Sequence, residues 1–501
     1  MSCFVIGVGG TGAKCVEALI HLCAAGLMPD NESLYALFVD PDGANGNLER
    51  ARNTMSDYAK CCEENLGVTN LFKTSLAIAD PDVWSPFGDE AKPTLGKFFH
   101  YNTLKEENQA AAHLFDVLYS PEEKETTLEK GFRGHPSIGA AVLASAVDFG
   151  NQVPWKTFRQ SVEQSIGEGG IAKIILIGSI FGGTGASGLP TIARLIRNKL
   201  AGIQNVRIGG ILVLPYFSFK PVEEGGIKAA SEDFLTNTQA ALLYYHQKAT
   251  EHSENQEMDL RSFKTVYSLG EAQLSSMKTS SLGGQSQCNE PHFIELYSAL
   301  ACLDFFKEKD TADGYPMLAR EQESSITWSD LPNYEELRLK LEQLTRFSYA
   351  YLTAYRPMLK NIAEGGSQYR APWYIDFFKR AKLNLNDTTT RDSLKRIEDY
   401  CTSYLQWLAN ITASTKTPTV KLVDYNTFAE RKINNEVIAV DLKKHGFDLN
   451  SFDNLLQSEK KEPDNGLNNL WARMCSAKVK DPNAVGVGRF FRALYDECGK
   501  K

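Results

Sequence analysis

Residues 174–195 constrain the fold of this chain more than any other stretch. An apolar run at 174–177 is followed by four glycines between positions 182 and 188, and apolar side chains then recur at helical spacing through 189–200. A short apolar run of this kind is typical of a strand that is buried on both faces. Glycines let the backbone approach an anion closely, and a helix N-terminus presents free N–H groups to it. The stretch therefore predicts a phosphate-binding strand–turn–helix unit, although a tight turn that needs glycine only for its shape would have the same composition.

A second unit of the same kind lies at the N-terminus. Residues 3–8 form an apolar run, residues 7–12 read GVGGTG, and a helical pattern follows. The next strand, at 34–39, ends in Asp40 and Asp42. By itself this arrangement fits a dinucleotide-binding fingerprint, with G-x-G-x-x-G between strand and helix and an acid after the second strand. A Rossmann NAD site needs one such loop, whereas this chain has two, about 170 residues apart.

Length and composition narrow the class of protein. The 501 residues suggest two or three domains, and 43% hydrophobic with 23% charged residues is ordinary for a globular protein. The net charge of −8 argues against nucleic acid as a partner. The ten cysteines show no zinc spacing, which predicts reduced thiols in a cytoplasm. Without a run of 18 apolar residues, we expect neither a membrane span nor a signal peptide.

Two glycine-rich loops in this order resemble the tubulin/FtsZ superfamily, in which both loops enclose one guanine nucleotide. The resemblance is closer to divergent bacterial tubulin-like proteins than to FtsZ itself. It covers roughly residues 1–220 and continues more weakly to about 330. The segments that carry it are IGVGGTGAK at 6–14, FVDPDGA at 38–44, GFRGHPSIG at 131–139, FGGTGASGLP at 181–190 and LVLPYFSF at 212–219.

The resemblance implies an α/β fold with two parts. Residues 1–330 would form a Rossmann-like nucleotide-binding domain with a parallel sheet, and residues 331–501 a mostly helical C-terminal domain. Residues 45–130 are longer than the equivalent FtsZ connection, and we expect them to form a surface insertion with a few helices. Residues 289–306 correspond to the long central helix of the family.

The resemblance also assigns phosphate-binding roles. Backbone N–H groups of both loops would bind the phosphates, and the Thr184 hydroxyl would bond a phosphate oxygen, cap the following helix, or do both. Arg133 and Gly134 lie in the loop that faces the γ-phosphate, where a guanidinium suits the charge, although a surface ion pair would equally explain Arg133. The phosphate-binding residues predicted in the two glycine-rich loops are Gly9, Gly10, Thr11, Gly12, Gly182, Gly183, Thr184, Gly185, Ala186 and Ser187.

Five further residues are candidates for the rest of the nucleotide and its metal. Lys14 stands where FtsZ has an asparagine that contacts guanine, and a lysine could reach a base carbonyl or a phosphate. Asp40 and Asp42 are candidates to hold Mg²⁺ through water, or simply form a turn. Glu223 would accept from ribose hydroxyls unless it lies on a solvated face. Asn289 would read the base or cap the central helix.

In this superfamily, hydrolysis is completed by a loop of the adjacent subunit, which reads N-x-D-x-x-D in FtsZ. The counterpart here is at 326–337, where Asp330 and Asn333 keep the spacing but an amide replaces the second acid. A carboxylate orients the attacking water and holds metal. The resemblance therefore implies GTP or GDP with Mg²⁺, slow GTP hydrolysis that depends on Asp330, and head-to-tail assembly of identical subunits. Asp330 could instead be a capping residue.

Two other functions remain open. The chain could bind nucleotide as a switch or scaffold without hydrolysis or polymerisation. The chain could also be a Rossmann NAD-dependent enzyme, but no Cys/His or Tyr/Lys constellation follows Asp42 to support this function. The many aromatic residues of the C-terminal part indicate helix packing or a docking surface for a protein partner.

Overall fold

The computed structural model describes most of the chain, in segments. A parallel sheet lies at its centre, and the described residues form ten strands. The described residues are 3–63, 71–88, 90, 92–132, 134–218, 231–250, 263–271, 274–276, 284–307, 325–415, 420–424, 431–433, 436–438, 452, 454–457, 466–479 and 484–500. The strands are β1 (Cys3–Val8), β2 (Leu34–Val39), β3 (Leu76–Trp84), β4 (Ala172–Ser179), β5 (Val206–Val213), β6 (Phe217–Ser218), β7 (Thr265–Leu269), β8 (Ser275–Ser276), β9 (Arg431–Ile433) and β10 (Glu436–Ile438).

Helices surround this sheet and make up most of the C-terminal part. In the described part of the chain, four short non-α segments accompany them: 3-10 turns at Trp328–Asp330 and Ser367–Arg370, and π-helical turns at Tyr351–Tyr355 and Ile375–Lys379. The α-helices are α1 (Gly9–Ala24), α2 (Gly46–Glu63), α3 (Leu95–Phe98), α4 (Tyr101–Glu107), α5 (Gln109–Leu118), α6 (Pro121–Glu125), α7 (Pro136–Ala146), α8 (Trp155–Gly167), α9 (Gly183–Lys199), α10 (Ser231–Thr250), α11 (Phe293–Lys307), α12 (Tyr334–Ala350), α13 (Arg356–Ala363), α14 (Pro372–Tyr374), α15 (Thr388–Thr412), α16 (Gly466–Ser476) and α17 (Gly488–Cys498).

The main sheet has six parallel strands in the order β3-β2-β1-β4-β5-β7. Side chains alternate between its faces, so that Val5 and Ile175 pack with α1 and α11 while Ile6 and Ile174 pack with α7 and α9. Because both faces are covered, the central strands are nearly continuous apolar runs. The predicted parallel α/β fold is confirmed.

The strand order reverses between β1 and β4, at the centre of the sheet. The chain leaves β1 through α1, on one face, and leaves β4 through α9, on the other. In open parallel sheets, ligands bind outside the carboxyl ends of the strands at such a reversal. Both predicted phosphate loops follow these two strands directly.

Residues 45–130 are more than a surface insertion of helices, so that expectation needs correction. They contain α2, whose Met55 and Tyr58 are buried, and β3, which is the edge strand of the main sheet beside β2. The short helices α3 to α6 follow in the same stretch. The central helix α11 begins at Phe293, four residues later than expected.

The C-terminal part is mostly helical, as predicted. Its helices share one hydrophobic core with α1 and α2. Nδ1 of His21 in α1 lies 3.1 Å from the Tyr400 hydroxyl of α15, and its ring packs against Trp407 at 4.6 Å between centroids. Most of its aromatic side chains, such as Trp373, are buried in this core, whereas Tyr369 is 38% exposed. Core packing therefore accounts for most of these residues. Among the described helices, none is both long and apolar enough to cross a bilayer.

Candidate functional site

The two glycine-rich loops meet at the carboxyl edge of the sheet. A Cβ atom placed on Gly9 would lie 3.4 Å from Cβ of Thr184 and 3.7 Å from the backbone N of Gly185. Gly9 has a φ of +73°, a left-handed conformation that favours glycine. The loops after β1 and β4 therefore face one common space.

A third loop closes this space from the side. A Cβ atom on Gly183 would lie 2.9 Å from the backbone N of Gly134, and one on Gly131 would lie 3.6 Å from Oγ1 of Thr184. Arg133, predicted to face the γ-phosphate, lies outside the described residues. The structure thus brings three of the segments singled out from the sequence to one place.

The N-termini of two long helices point into the same space. α1 begins at Gly9 and α9 at Gly183, and neither N-cap residue, Val8 or Gly182, caps its helix through a side chain. The first N–H groups of a helix have no partner within the helix and carry partial positive charge. Two such ends facing one cavity attract an anion. Thr184 lies inside the first turn of α9, not at its N-cap.

The glycines of these loops serve two different needs. Gly12 and Gly185 pack against strand backbone, since Cβ atoms there would lie 2.4 Å from the Ile177 carbonyl oxygen and 2.2 Å from that of Ser179. A Cβ atom on Gly10 would instead lie 3.1 Å from Nδ2 of the Asn45 side chain. Close packing against strand backbone and against a neighbouring side chain therefore restricts different positions of the loop.

Asp40 is buried beside the first loop. Val8 pairs with Val39 across the sheet, so that Asp40 lies next to Gly9. Its Oδ1 accepts from the backbone N–H of Asp42 at 3.0 Å, whereas Oδ2 is buried without a protein partner. Burial, reinforced by the Asp42 carboxylate and opposed by that N–H bond, raises the pKa of Asp40 to about 8. A buried carboxylate oxygen without a partner fits a cation ligand.

Asp42 is placed differently from Asp40. Its Oδ1 accepts from the Ala44 N–H at 3.2 Å and its Oδ2 from the Gly284 N–H at 2.7 Å. The carboxylate thus holds the loop after β2 to the segment before α11, which is the turn-forming alternative. No group of three His, Cys, Asp or Glu side chains that could hold a metal occurs among the described residues.

Lys14 points into the protein, not into the cavity. It is 3% exposed and forms an ion pair with Glu295 of α11, which is fully buried. The Tyr216 hydroxyl donates to Oε1 of Glu295 at 3.0 Å, and the His292 N–H donates to Oε2 at 3.0 Å. These contacts hold Lys14 in a buried ion pair, and its predicted contact with base or phosphate stays a prediction.

The remaining predicted residues vary in placement. The Ser187 hydroxyl donates to the Gly183 carbonyl oxygen at 2.7 Å, within its own helix. Asn289 precedes α11 and binds α2 through its backbone, with its N–H donating to Oδ1 of Asn47 at 2.7 Å. Glu223 lies outside the described residues. Five predicted residues are partly exposed in the glycine-rich loops: Gly10, Thr11, Gly182, Thr184 and Ala186.

Sequence reasoning missed two polar residues around the cavity, Asn45 and Asn237. Asn45 donates from Nδ2 to Oε1 of Gln287 at 2.9 Å and accepts the Asn47 N–H at 2.9 Å, so that it joins the start of α2 to the segment before α11. Asn237 of α10 bridges two phosphate loops. No local pattern marks these residues, because their partners lie far away in sequence.

The predicted catalytic loop, at 326–337, lies beside α11. That helix leads from the carboxyl edge of the sheet, where the phosphate loops meet, toward the amino edge. α11 extends about 21 Å at 1.5 Å per residue, and its end at Lys307 lies near Lys173 at the start of β4, which donates to the Phe306 carbonyl oxygen. Asn333 lines a groove with Lys307. Asp330 is exposed, and its Oδ2 accepts from the Thr327 N–H at 2.7 Å.

One family model and several solved structures are similar to this chain. A family model described as tubulin like matches residues 4–305. The chain is similar to CetZ2 from Haloferax volcanii, solved as a GTPγS-bound protofilament, with 15% identity, a TM-score of 0.29 and coverage of 62% of this chain and 61% of that one. It is also similar to a GTPγS-form protofilament of TubZ from Bacillus thuringiensis serovar israelensis, with 11% identity, a TM-score of 0.27 and coverage of 60% and 55%. The chain thus matches about three fifths or less of the length of these proteins, and no curated protein matches its sequence.

Proposed function

The chain belongs to the tubulin-like family, and from this premise we propose that it binds GTP or GDP between its two glycine-rich loops. The observation that carries the proposal is the approach of Gly9 to Thr184 and Gly185 at the strand-order reversal. The N–H groups at the starts of α1 and α9 would bind the phosphates, and the Thr184 hydroxyl would donate to a phosphate oxygen. The NAD-dependent enzyme is disfavoured, because both loops serve one site.

Mg²⁺ would accompany the nucleotide, and Asp40 fits it better than Asp42. Asp40 has a buried oxygen without a protein partner, whereas both oxygens of Asp42 accept backbone N–H groups. When bound, the ion neutralises charge on the phosphate oxygens. Asp40 would hold its hydration shell in place beside Gly9.

Asp40→Asn is expected to remove most of the Mg²⁺ dependence of nucleotide binding, since an amide holds the hydrated ion less well than a carboxylate. The measurement is GDP affinity by titration calorimetry, with Mg²⁺ and with EDTA. The matched variant Asp42→Asn should instead lower the thermal unfolding midpoint, because its carboxylate joins two loops. Equal Mg²⁺ dependence in wild type and Asp40→Asn would remove Asp40 from the metal site.

We further propose head-to-tail assembly, in which residues 328–333 of one subunit face the nucleotide of the next. Within one subunit the nucleotide cavity lies at the carboxyl edge of the sheet, and Asn333 lies by the end of α11 at the amino edge. A loop so placed would act on a neighbour's nucleotide rather than on that of its own subunit. Asp330 would orient the attacking water there. We place the assembly in the cytoplasm, in keeping with ten cysteines that form no disulfide.

One observation favours a switch with little or no hydrolysis as a second candidate. The Asp330 carboxylate accepts from the Thr327 N–H and hydroxyl, so that it caps its own 3-10 turn. Asn333 has a left-handed φ of 50°, which asparagine tolerates better than most residues, so its conformation gives a structural reason for the amide.

Sedimentation with GTP, GDP and no nucleotide tests the proposal. We expect pelleting only with GTP, because the nucleotide would complete the contact between subunits. Phosphate release measured on the same samples separates a GTPase from a switch that assembles without hydrolysis. Protein that co-purifies with no guanine nucleotide and pellets equally in all three conditions would contradict the assignment.

A further inference from the structure

Asn237 lies on the inner side of α10 and contacts two loops of the candidate site. Its Nδ2 donates to the Gly134 carbonyl oxygen at 3.1 Å and to the Phe181 carbonyl oxygen at 3.2 Å. A primary amide has two N–H donors, so each of its hydrogens serves one loop. We propose, building on the proposed GTP site, that Asn237 is a positioning residue that fixes the γ-phosphate loop and sets the preference for GTP over GDP.

The loop that Asn237 contacts contains two glycines, whose backbone can adopt more conformations than that of other residues. Gly131 and Gly134 have φ values of +88° and +79°, in the left-handed region. Glycine loses more conformational entropy on ordering than any other residue, so a fixed conformation needs external restraint. The amide of Asn237 supplies such a restraint directly on the Gly134 carbonyl group.

The second hydrogen bond ties that restraint to the start of α9. Phe181 directly precedes Gly182, the N-cap of the helix whose first N–H groups would bind phosphate. Gly183 also packs on Gly134, where a Cβ atom would come within 2.9 Å of the backbone N. Asn237 therefore sets the relative position of two loops that would contact the same terminal phosphate.

α10 has an anchor near the site that is independent of Asn237. Phe234, one turn earlier, is buried and packs on the Phe181 ring with centroids 4.7 Å apart. The Thr238 hydroxyl donates to the Phe234 carbonyl oxygen within the helix. Removing the Asn237 amide should therefore release the loop without releasing the helix.

The test compares two ligands in two variants. We expect Asn237→Ala and the isosteric Asn237→Asp to weaken GTPγS binding about tenfold, as loss of hydrogen bonds worth roughly 1.4 kcal/mol implies. GDP lacks the terminal phosphate, so its affinity should change by less than about twofold, well under that tenfold step. Gln239→Ala, on the exposed side of the same helix, is the matched control and should change neither affinity.

The outcomes separate this inference from the proposed function. Wild-type protein that binds neither nucleotide removes the GTP site and this inference together. A second outcome is wild-type protein that binds both nucleotides, while the variants lose affinity for GTPγS and GDP equally, or lose none. That result overturns only the role of Asn237. If the variants are unstable, hydrogen exchange in the unaltered protein decides: residues 234–245 should exchange more slowly with GTPγS than with GDP, and equal rates would overturn the inference.

Discussion

Lys14→Met is expected to lower the free energy of unfolding by about 3–5 kcal/mol, the usual cost of removing one partner of a buried ion pair. Glu295 is fully buried and Lys14 is 3% exposed, so the lysine and not solvent balances the carboxylate charge. Glu295 would keep only the Tyr216 hydroxyl and the His292 N–H as donors. The measurement is the urea midpoint and the thermal midpoint of wild type and variant.

The double variant Lys14→Met with Glu295→Gln is the control for this prediction. A glutamine carbonyl can still accept from the His292 N–H, and its NH2 group can donate to the Tyr216 hydroxyl. The charges of the Lys14–Glu295 pair are then gone, so most of the lost stability should return. A lysine that binds nucleotide would behave otherwise. Lys14→Met would then weaken GTP binding and leave the unfolding midpoints unchanged, which would contradict the buried pair and restore the ligand role.

The sequence could predict the sheet and the phosphate loops because their signals are local. Strands β1 and β4 are buried on both faces and therefore appear as unbroken apolar runs. β3 was missed because its middle reads Asp80-Pro81-Asp82, which argues against a central strand. The structure places β3 at the sheet edge with a register shift, where a proline is tolerated.

Two other features depend on partners far away in sequence. The partner of Lys14 is Glu295 on a different helix, and nothing around Lys14 distinguishes a ligand contact from a buried pair. The first two turns of α9 contain Gly183, Gly185 and Gly188, which locally favour a turn over a helix. Gly185 packs against Ser179 of β4, Gly183 against the loop at Gly134, and Gly188 against Val8 of β1. These close contacts require small residues and outweigh the low helix propensity of glycine.

Gly185→Ala is expected to lower nucleotide affinity by at least about a hundredfold, or roughly 3 kcal/mol, the upper range for overpacking. Its new Cβ atom would lie 2.2 Å from the carbonyl oxygen and 2.8 Å from the backbone N of Ser179. Both atoms belong to the end of β4 and cannot rotate away, so the first turn of α9 must shift. That shift would move the helix N-terminus away from Gly9. Retained GTP and GDP, measured by chromatography of denatured protein, report the loss.

Gly182→Ala is the matched control, because it adds the same methyl group to the same loop. Its Cβ atom would meet only Oγ of Ser179, at 3.2 Å, and a serine side chain can rotate. Affinity should therefore stay within about threefold of wild type, less than 1 kcal/mol. Equal losses in both variants would mean that any methyl group in the loop blocks the ligand. Equal retention would mean that the start of α9 contributes little to phosphate binding, and the convergence of the two loops would then serve packing alone.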